Sequence, residues 1–168
     1  MWVFGYGSLM WDGWQTKFGC LRSCVADLPG HTRKLNKASV ERWGTKEKPG
    51  PTLNLTVSEG GKCRGIAFEF SADHEAALTA YLRRREGGFD LRTVQVRLED
   101  GTDVSAITPM YQGKNLIVGV SDEALIDMIA AAQGTAGSGA DYVRNLVHAL
   151  RGLQVHDPEI EAIAERVW

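Results

Sequence analysis

Val3-Phe4-Gly5-Tyr6-Gly7-Ser8-Leu9-Met10-Trp11 is the stretch from which the rest of this 168-residue chain can be read. Trp2, Val3 and Phe4 are bulky and β-prone, which predicts a buried strand. Gly5 and Gly7 bracket Tyr6. Paired glycines weaken a strand and mark a bulge or a place where another group approaches the backbone. Beyond Gly7 the chain is expected to leave the ladder and turn the amides of Ser8 and Leu9 toward a ligand. Consecutive amides of that kind form a positively polarised nest that suits a carboxylate or an oxyanion. Ser8 adds a hydroxyl that donates or accepts. A hydrophobic strand ending in an ordinary glycine turn explains the same residues without any ligand.

Outward from this stretch, the hydrophobic pattern alternates between strand and helix periods. Strands are expected over 22–28, 33–36, 52–57, 63–70, 92–98 and 104–111, with turns at Pro29-Gly30, Glu59-Gly60-Gly61-Lys62 and Asp100-Gly101. Between the fourth and fifth of these, Ser71 or Asp73 can cap a helix whose apolar stripe is Ala77, Leu78, Tyr81 and Leu82, stopped by Gly87-Gly88. The last third is helical: one helix capped by Ser121 and ended by Gly134, one over 141–153, and one opened by Asp157-Pro158. Strands of antiparallel type with an inserted helix and appended helices predict an α+β fold. Gly134-x-x-Gly137-x-Gly139 follows a helix rather than a strand, so it fails as a phosphate loop.

Length allows one domain with a substantial core, expected to span 1–168. The apolar fraction of 43% and charged fraction of 24% are those of a globular protein. A net charge of −2 gives no electrostatic case for nucleic acid, and no basic helix points to a membrane surface. The N-terminus lacks the basic start and apolar run of a signal peptide, and no stretch reaches membrane-spanning length, so a cytoplasmic location is expected. Cys20, Cys24 and Cys63, even with His31, match no common zinc spacing and read as reduced structural thiols, with no metal. From Lys37 to Pro51 the chain is polar, with Lys37, Arg42, Lys46 and Lys48 around Trp43. That is either a solvated loop or a flap whose cations draw an anionic substrate.

The remaining candidate is Glu86. It follows Arg83-Arg84-Arg85 at the expected end of the inserted helix, where the macrodipole favours cations, so a carboxylate there is out of place for stability. A surface glutamate paired to a neighbouring arginine is the plain alternative.

Phe4-Gly5-Tyr6-Gly7-Ser8-Leu9-Met10-Trp11 resembles the N-terminal signature of the ChaC-type γ-glutamylcyclotransferases. Tyr81-Leu82 through Arg85-Glu86-Gly87 resembles the family's segment holding its catalytic glutamate. Pro49-Gly50-Pro51-Thr52-Leu53 resembles its loop-to-strand segment, and Asp141-Tyr142-Val143 with Leu146 to Leu150 and Asp157 its C-terminal helix region. The order of these segments matches as well. Two places depart: Lys34-Leu35-Asn36 where the family often carries aromatic residues, and Gly87-Gly88-Phe89-Asp90 where it often has a tyrosine.

The resemblance implies a small, mostly antiparallel barrel-like sheet with packed helices. It implies that Tyr6, Gly7, Ser8 and Leu9 cradle a γ-glutamyl group, that Tyr142 lines the site, and that Glu86 is the catalytic acid and base. The implied reaction needs no cofactor or metal. Its partner is a small γ-glutamyl compound, glutathione first, with other γ-glutamyl amines or amino acids as the alternative. Two further readings stay open: Ser8 as a hydrolase nucleophile, for which His31, His74, His148 and His156 offer no motif context, and a non-catalytic binding module on the same fold. Oligomeric state is not legible.

Overall fold

The computed structural model describes residues 1–167. In chain order the elements are β1 (Trp2–Gly5), β2 (Arg22–Ser39), β3 (Gly50–Glu69), α1 (Glu75–Arg85), β4 (Asp90–Leu98), β5 (Asp103–Met110), α2 (Asp122–Ala131), α3 (Gly139–Gly152) and α4 (Pro158–Val167). The strands close into a barrel in the order β1-β3-β2-β4-β5. This is the α+β, barrel-like architecture expected. β1 runs antiparallel to β3, Trp2 facing Glu69 and Gly5 facing Ile66. It is parallel to β5, with Trp2 opposite Ala106. β4 is antiparallel to both β2 and β5.

Two expected turns are not chain reversals. β2 runs unbroken through Pro29-Gly30 and β3 through Glu59-Gly60-Gly61-Lys62. Asp27 holds Arg64, and Lys37 O accepts from Thr52 Oγ1 at 3.0 Å. Rising numbers on one strand thus meet falling numbers on the other, as in one long antiparallel ribbon. Gly30 and Gly60 sit in it at φ 71° and 70°. A left-handed glycine inside a ladder is a bulge that bends the ribbon without ending it. Asp100-Gly101 does reverse the chain: Gly101 N donates to Leu98 O at 2.9 Å and Leu98 N to Thr102 O at 2.8 Å.

The chain falls into two compact units, Met1–Arg33 with Leu55–Gly113, and Lys34–Asn54 with the residues from Lys114 onward. The core of the first is Val3, Leu9, Trp14, Phe68, Phe70, Leu78 and Leu82. In the second, α2, α3 and α4 pack on one another. α3 buries Tyr142, Val143, Leu146, Val147 and Leu150, the stripe its 3.6-residue period requires. Ser138 and Asp141 form a capping box at its start. The segment 40–49 also belongs to this unit and is tied down rather than loose. Trp43 is buried against Tyr142, and the amides of Thr135 and Ala136 donate to the carbonyls of Glu41 and Arg42 at 2.9 and 2.7 Å. Of the cations expected on a flap, Lys46 and Lys48 are exposed, while Lys37 lies within β2.

Candidate active site

The chain leaves β1 at Gly5 and enters a 3₁₀ turn over Ser8–Met10. A Cβ on Gly5 would stand 2.9 Å from Leu9 Cβ, so only glycine lets the loop fold back over the strand end. The turn's bonds begin with Met10 N donating to Gly7 O at 2.8 Å, followed by Trp11 N to Ser8 O at 3.3 Å. The amides of Ser8 and Leu9 precede that first bond and take no part in the turn, the usual state of groups at a helical start.

Three anchors hold this loop. Tyr6 is buried, and its hydroxyl donates to Pro109 O at 2.7 Å. Thr108 Oγ1 donates to Phe4 O at 2.9 Å. Trp14 opens a second 3₁₀ turn, Trp14–Phe18, and its Nε1 donates to Leu9 O at 2.9 Å. The Trp14 ring meets Phe68 edge-on at 5.5 Å and stacks on Tyr81 of α1 at 6.2 Å. Leu9 and Leu82 lie in the same core cluster. One apolar cluster therefore fixes both the loop and the last turns of α1.

α1 ends on its functional candidate. Glu86 N donates to Leu82 O at 2.8 Å, the last bond of the helix, and Glu86 itself has left helical geometry at φ −96°, ψ 32°. Its neighbour Arg85 turns inward and joins the pieces. Arg85 Nε donates to Glu86 Oε1 at 2.7 Å, Nη2 donates to Ser8 Oγ at 3.1 Å, and Nη1 pairs with Asp12 Oδ2. The side chains of Arg85, Glu86 and Asp12 are 5%, 14% and 24% exposed. Burial alone would make the Arg85 guanidinium easier to deprotonate. The Glu86 and Asp12 carboxylates more than offset that and hold it above the ordinary arginine range. Arg85 is therefore a fixed cation, its planar fork spread over a carboxylate, a hydroxyl and a second carboxylate. Arg83 and Arg84 point to solvent.

Glu86, Ser8 and the loop carrying Tyr6, Gly7 and Leu9 thus stand in one bonded cluster. Tyr142 belongs to the second unit. It is buried there, its hydroxyl accepts from Leu53 N at 2.9 Å, and its ring meets Trp43 edge-on at 5.2 Å. Ser8 Oγ faces a guanidinium, which cannot take a proton, so the geometry does not activate it as a nucleophile. Among the described residues no cluster of His, Cys, Asp and Glu is suited to a metal ion. Sequence reasoning missed Arg85, Asp12 and Trp14. For Arg85 a signal existed: Leu78, Leu82 and Arg85 follow one helical stripe at spacings of four and three, so Arg85 alone of the three arginines falls on the buried face. Asp12 and Trp14 carry no such signal.

A closed barrel with this loop is the fold of the γ-glutamylcyclotransferases. The chain superposes with TM-score 0.89 on a yeast γ-glutamyl cyclotransferase specific to glutathione, over 99% of this chain and 95% of that one, at 18% identity. The chain belongs to the family of ChaC-like proteins, whose family model matches residues 1–168. Among its relatives are γ-glutamylcyclotransferase 2-3 of Arabidopsis thaliana, 28% identical over 99% of this chain and 88% of that protein, and the glutathione-specific γ-glutamylcyclotransferase of Escherichia coli K12, 30% identical over 94% of this chain and 68% of that protein.

Proposed function

We propose that this protein is a γ-glutamylcyclotransferase that cyclises the γ-glutamyl group of glutathione, with Glu86 as general base and then general acid. The substrate's own α-amine attacks its γ-carbonyl carbon. A C–N bond forms, the amide bond to cysteine breaks, and the products are 5-oxoproline and Cys-Gly. The reaction consumes no water, oxidant or cofactor. The amine arrives mostly as ammonium and sheds two protons in becoming the lactam N–H: Glu86 takes one before attack, takes the second as the ring closes, and passes both in turn to the departing amine, which leaves as ammonium. The loop formed by Tyr6, Gly7, Ser8 and Leu9 holds the γ-glutamyl end, its amides stabilising the developing oxyanion. Holding the short chain bent, with nitrogen near carbonyl, supplies much of the rate.

The observation that carries this reading is the Arg85 fork, which places the Glu86 carboxylate and Ser8 of the loop on one guanidinium. Match of the family model over residues 1–168 supports treating both compact units as one γ-glutamylcyclotransferase-like domain. Tyr142 as a substrate-binding residue rests on the resemblance of the 141–157 region. Cys20, Cys24 and Cys63 form no disulfide, which suits the reducing compartment where glutathione abounds and supports a cytoplasmic location. No helix among the described residues is long and apolar enough to cross a membrane. The test is to incubate the purified protein with glutathione and, separately, with γ-glutamyl amino acids, and to measure 5-oxoproline. Glutathione should yield 5-oxoproline and Cys-Gly in equal amounts. Turnover of γ-glutamyl amino acids alone would move the substrate to that class, and no 5-oxoproline from any of them would leave a binding module.

A further inference from the structure

Asp12 lies outside every motif discussed so far, yet it completes the cluster. Its Oδ2 pairs with Arg85 Nη1, and its Oδ1 accepts from Trp14 N at 3.3 Å. Trp14 in turn holds Leu9 O. The carboxylate therefore does two separable things: one oxygen shapes the loop, the other meets a buried guanidinium.

A buried arginine beside a proton-transferring carboxylate is a difficulty for the chemistry. Arg85 Nε donates to Glu86 Oε1 at 2.7 Å, a pairing of opposite charges only while Glu86 is a carboxylate. A base that must hold a proton between two steps would then leave behind an unbalanced buried cation. An uncompensated buried charge is far more costly than a buried pair. Asp12 removes that cost. With Glu86 ionised, Asp12, Arg85 and Glu86 sum to one negative charge. With Glu86 protonated, they sum to zero, and Arg85 remains paired to Asp12.

We propose that Asp12 and Arg85 are positioning residues for the cyclisation: Arg85 fixes the direction of the Glu86 carboxylate through Oε1, and Asp12 balances Arg85 so that Glu86 can carry the proton between the two transfers. This rests on the reading of Glu86 as the acid and base.

The test compares four purified proteins with the wild type by steady-state kinetics on glutathione, with circular dichroism as the check of folding. Glu86→Gln tests the underlying reading, because turnover by a folded Glu86→Gln protein would remove the acid and base and leave Asp12 nothing to support. Asp12→Asn keeps an oxygen for Trp14 N but sets an amide NH2 where Oδ2 met Arg85 Nη1, so it deletes both the charge and the acceptor that paired the guanidinium. Its kcat should fall about tenfold or more, with KM within about twofold, because the loss concerns the protonated state and not binding. Arg85→Gln alone leaves two carboxylates without their cation and should also lose kcat. The double variant Asp12→Asn/Arg85→Gln restores the wild-type charge sum in both protonation states, so it should exceed each single variant in kcat, although it stays below wild type for want of the fork.

A residue that merely stabilised the fold would give additive losses in the double variant. An unchanged kcat in folded Asp12→Asn, or a double variant no faster than Arg85→Gln, would overturn the proposal while leaving Glu86 in place. Should Asp12→Asn not fold, the comparison of Arg85→Gln with the double variant decides the matter.

Discussion

Two charged helix ends in this molecule, the start of α3 and the end of α1, obey opposite rules. At the start of α3, Ser138 Oγ accepts from Asp141 N at 3.0 Å, and Asp141 Oδ2 accepts from Ser138 N at 3.1 Å. The acid sits at the positive end of the helix dipole, and Arg144 one turn on pairs with it at 2.8 Å. At the end of α1 an acid occupies the negative end, half-buried, held by an arginine that is itself withdrawn from water. The first arrangement follows from the energetics of the helix alone. The second gains nothing from the helix and depends on a buried cation, a second carboxylate and a hydroxyl from a distant loop. Charge placed against the local preference, and then supported by residues far away in sequence, is what the proposed acid and base role of Glu86 calls for.

The comparison can be broken most decisively at Glu86. Glu86→Gln should lower kcat about 10²- to 10⁴-fold, the usual contribution of a proton-transferring side chain, while the thermal midpoint holds or rises. A large loss of stability instead would make Glu86 a structural residue. Replacing the cation comes next. Arg85→Met leaves the Asp12 and Glu86 carboxylates facing each other and should cost about 3–5 kcal/mol in denaturant unfolding. A cost below about 1 kcal/mol would mean that the fork is no more than a surface pair.

At the other helix end, Ser138→Ala should cost about 1 kcal/mol of stability and leave kcat unchanged well below the melting range. The smallest effect is in pH. Hydrogen bonds from Ser138, assisted by Arg144, hold the Asp141 carboxyl below its ordinary value of 3.8. A carboxyl lowered on folding stabilises the native state above its unfolded value, and that contribution disappears as the pH falls through the folded one. The stability gap between wild type and Asp141→Asn should therefore be full near neutrality and close in acid unfolding below about pH 3.8. A gap independent of pH would show that shape, not charge, makes this cap.

Much of this was legible in the order of periods along the chain. Alternation gave β4 and β5, the 3.6-residue stripes gave α1 and α3, and Asp157-Pro158 marked the start of α4. Glycine was the weak point. Pro29-Gly30 and Gly60-Gly61 have the composition of turns, but a left-handed glycine serves a bulge as well as a reversal, and only the partner strand decides between them. Resemblance drew attention to Glu86 and the 6–9 loop. The bonds that join them were hidden, because nothing local to Asp12-Gly13-Trp14 says that it will meet a helix end some seventy residues on. Arg85 was within reach of reasoning from helical phase alone.

The parallel pairing of β1 with β5 has a consequence for how the molecule comes into being. β1 is the first strand to be synthesised, but its neighbours come late: Val3 pairs with Phe68 on one side and Ile107 on the other. The Tyr6 hydroxyl bonds a carbonyl 103 residues away. A nascent chain therefore carries this apolar strand with both edges open until β3 is made, and with one edge open until β5 has cleared the ribosome, and such distant contacts are slow to form. The loop that follows β1 precedes nearly all of its partners in the chain, yet it is among the last parts to take its shape. A chain stalled before Pro109 is made would have Glu86 and Ser8 but not the anchor that holds Tyr6. Chaperone demand during synthesis should accordingly centre on the first few residues.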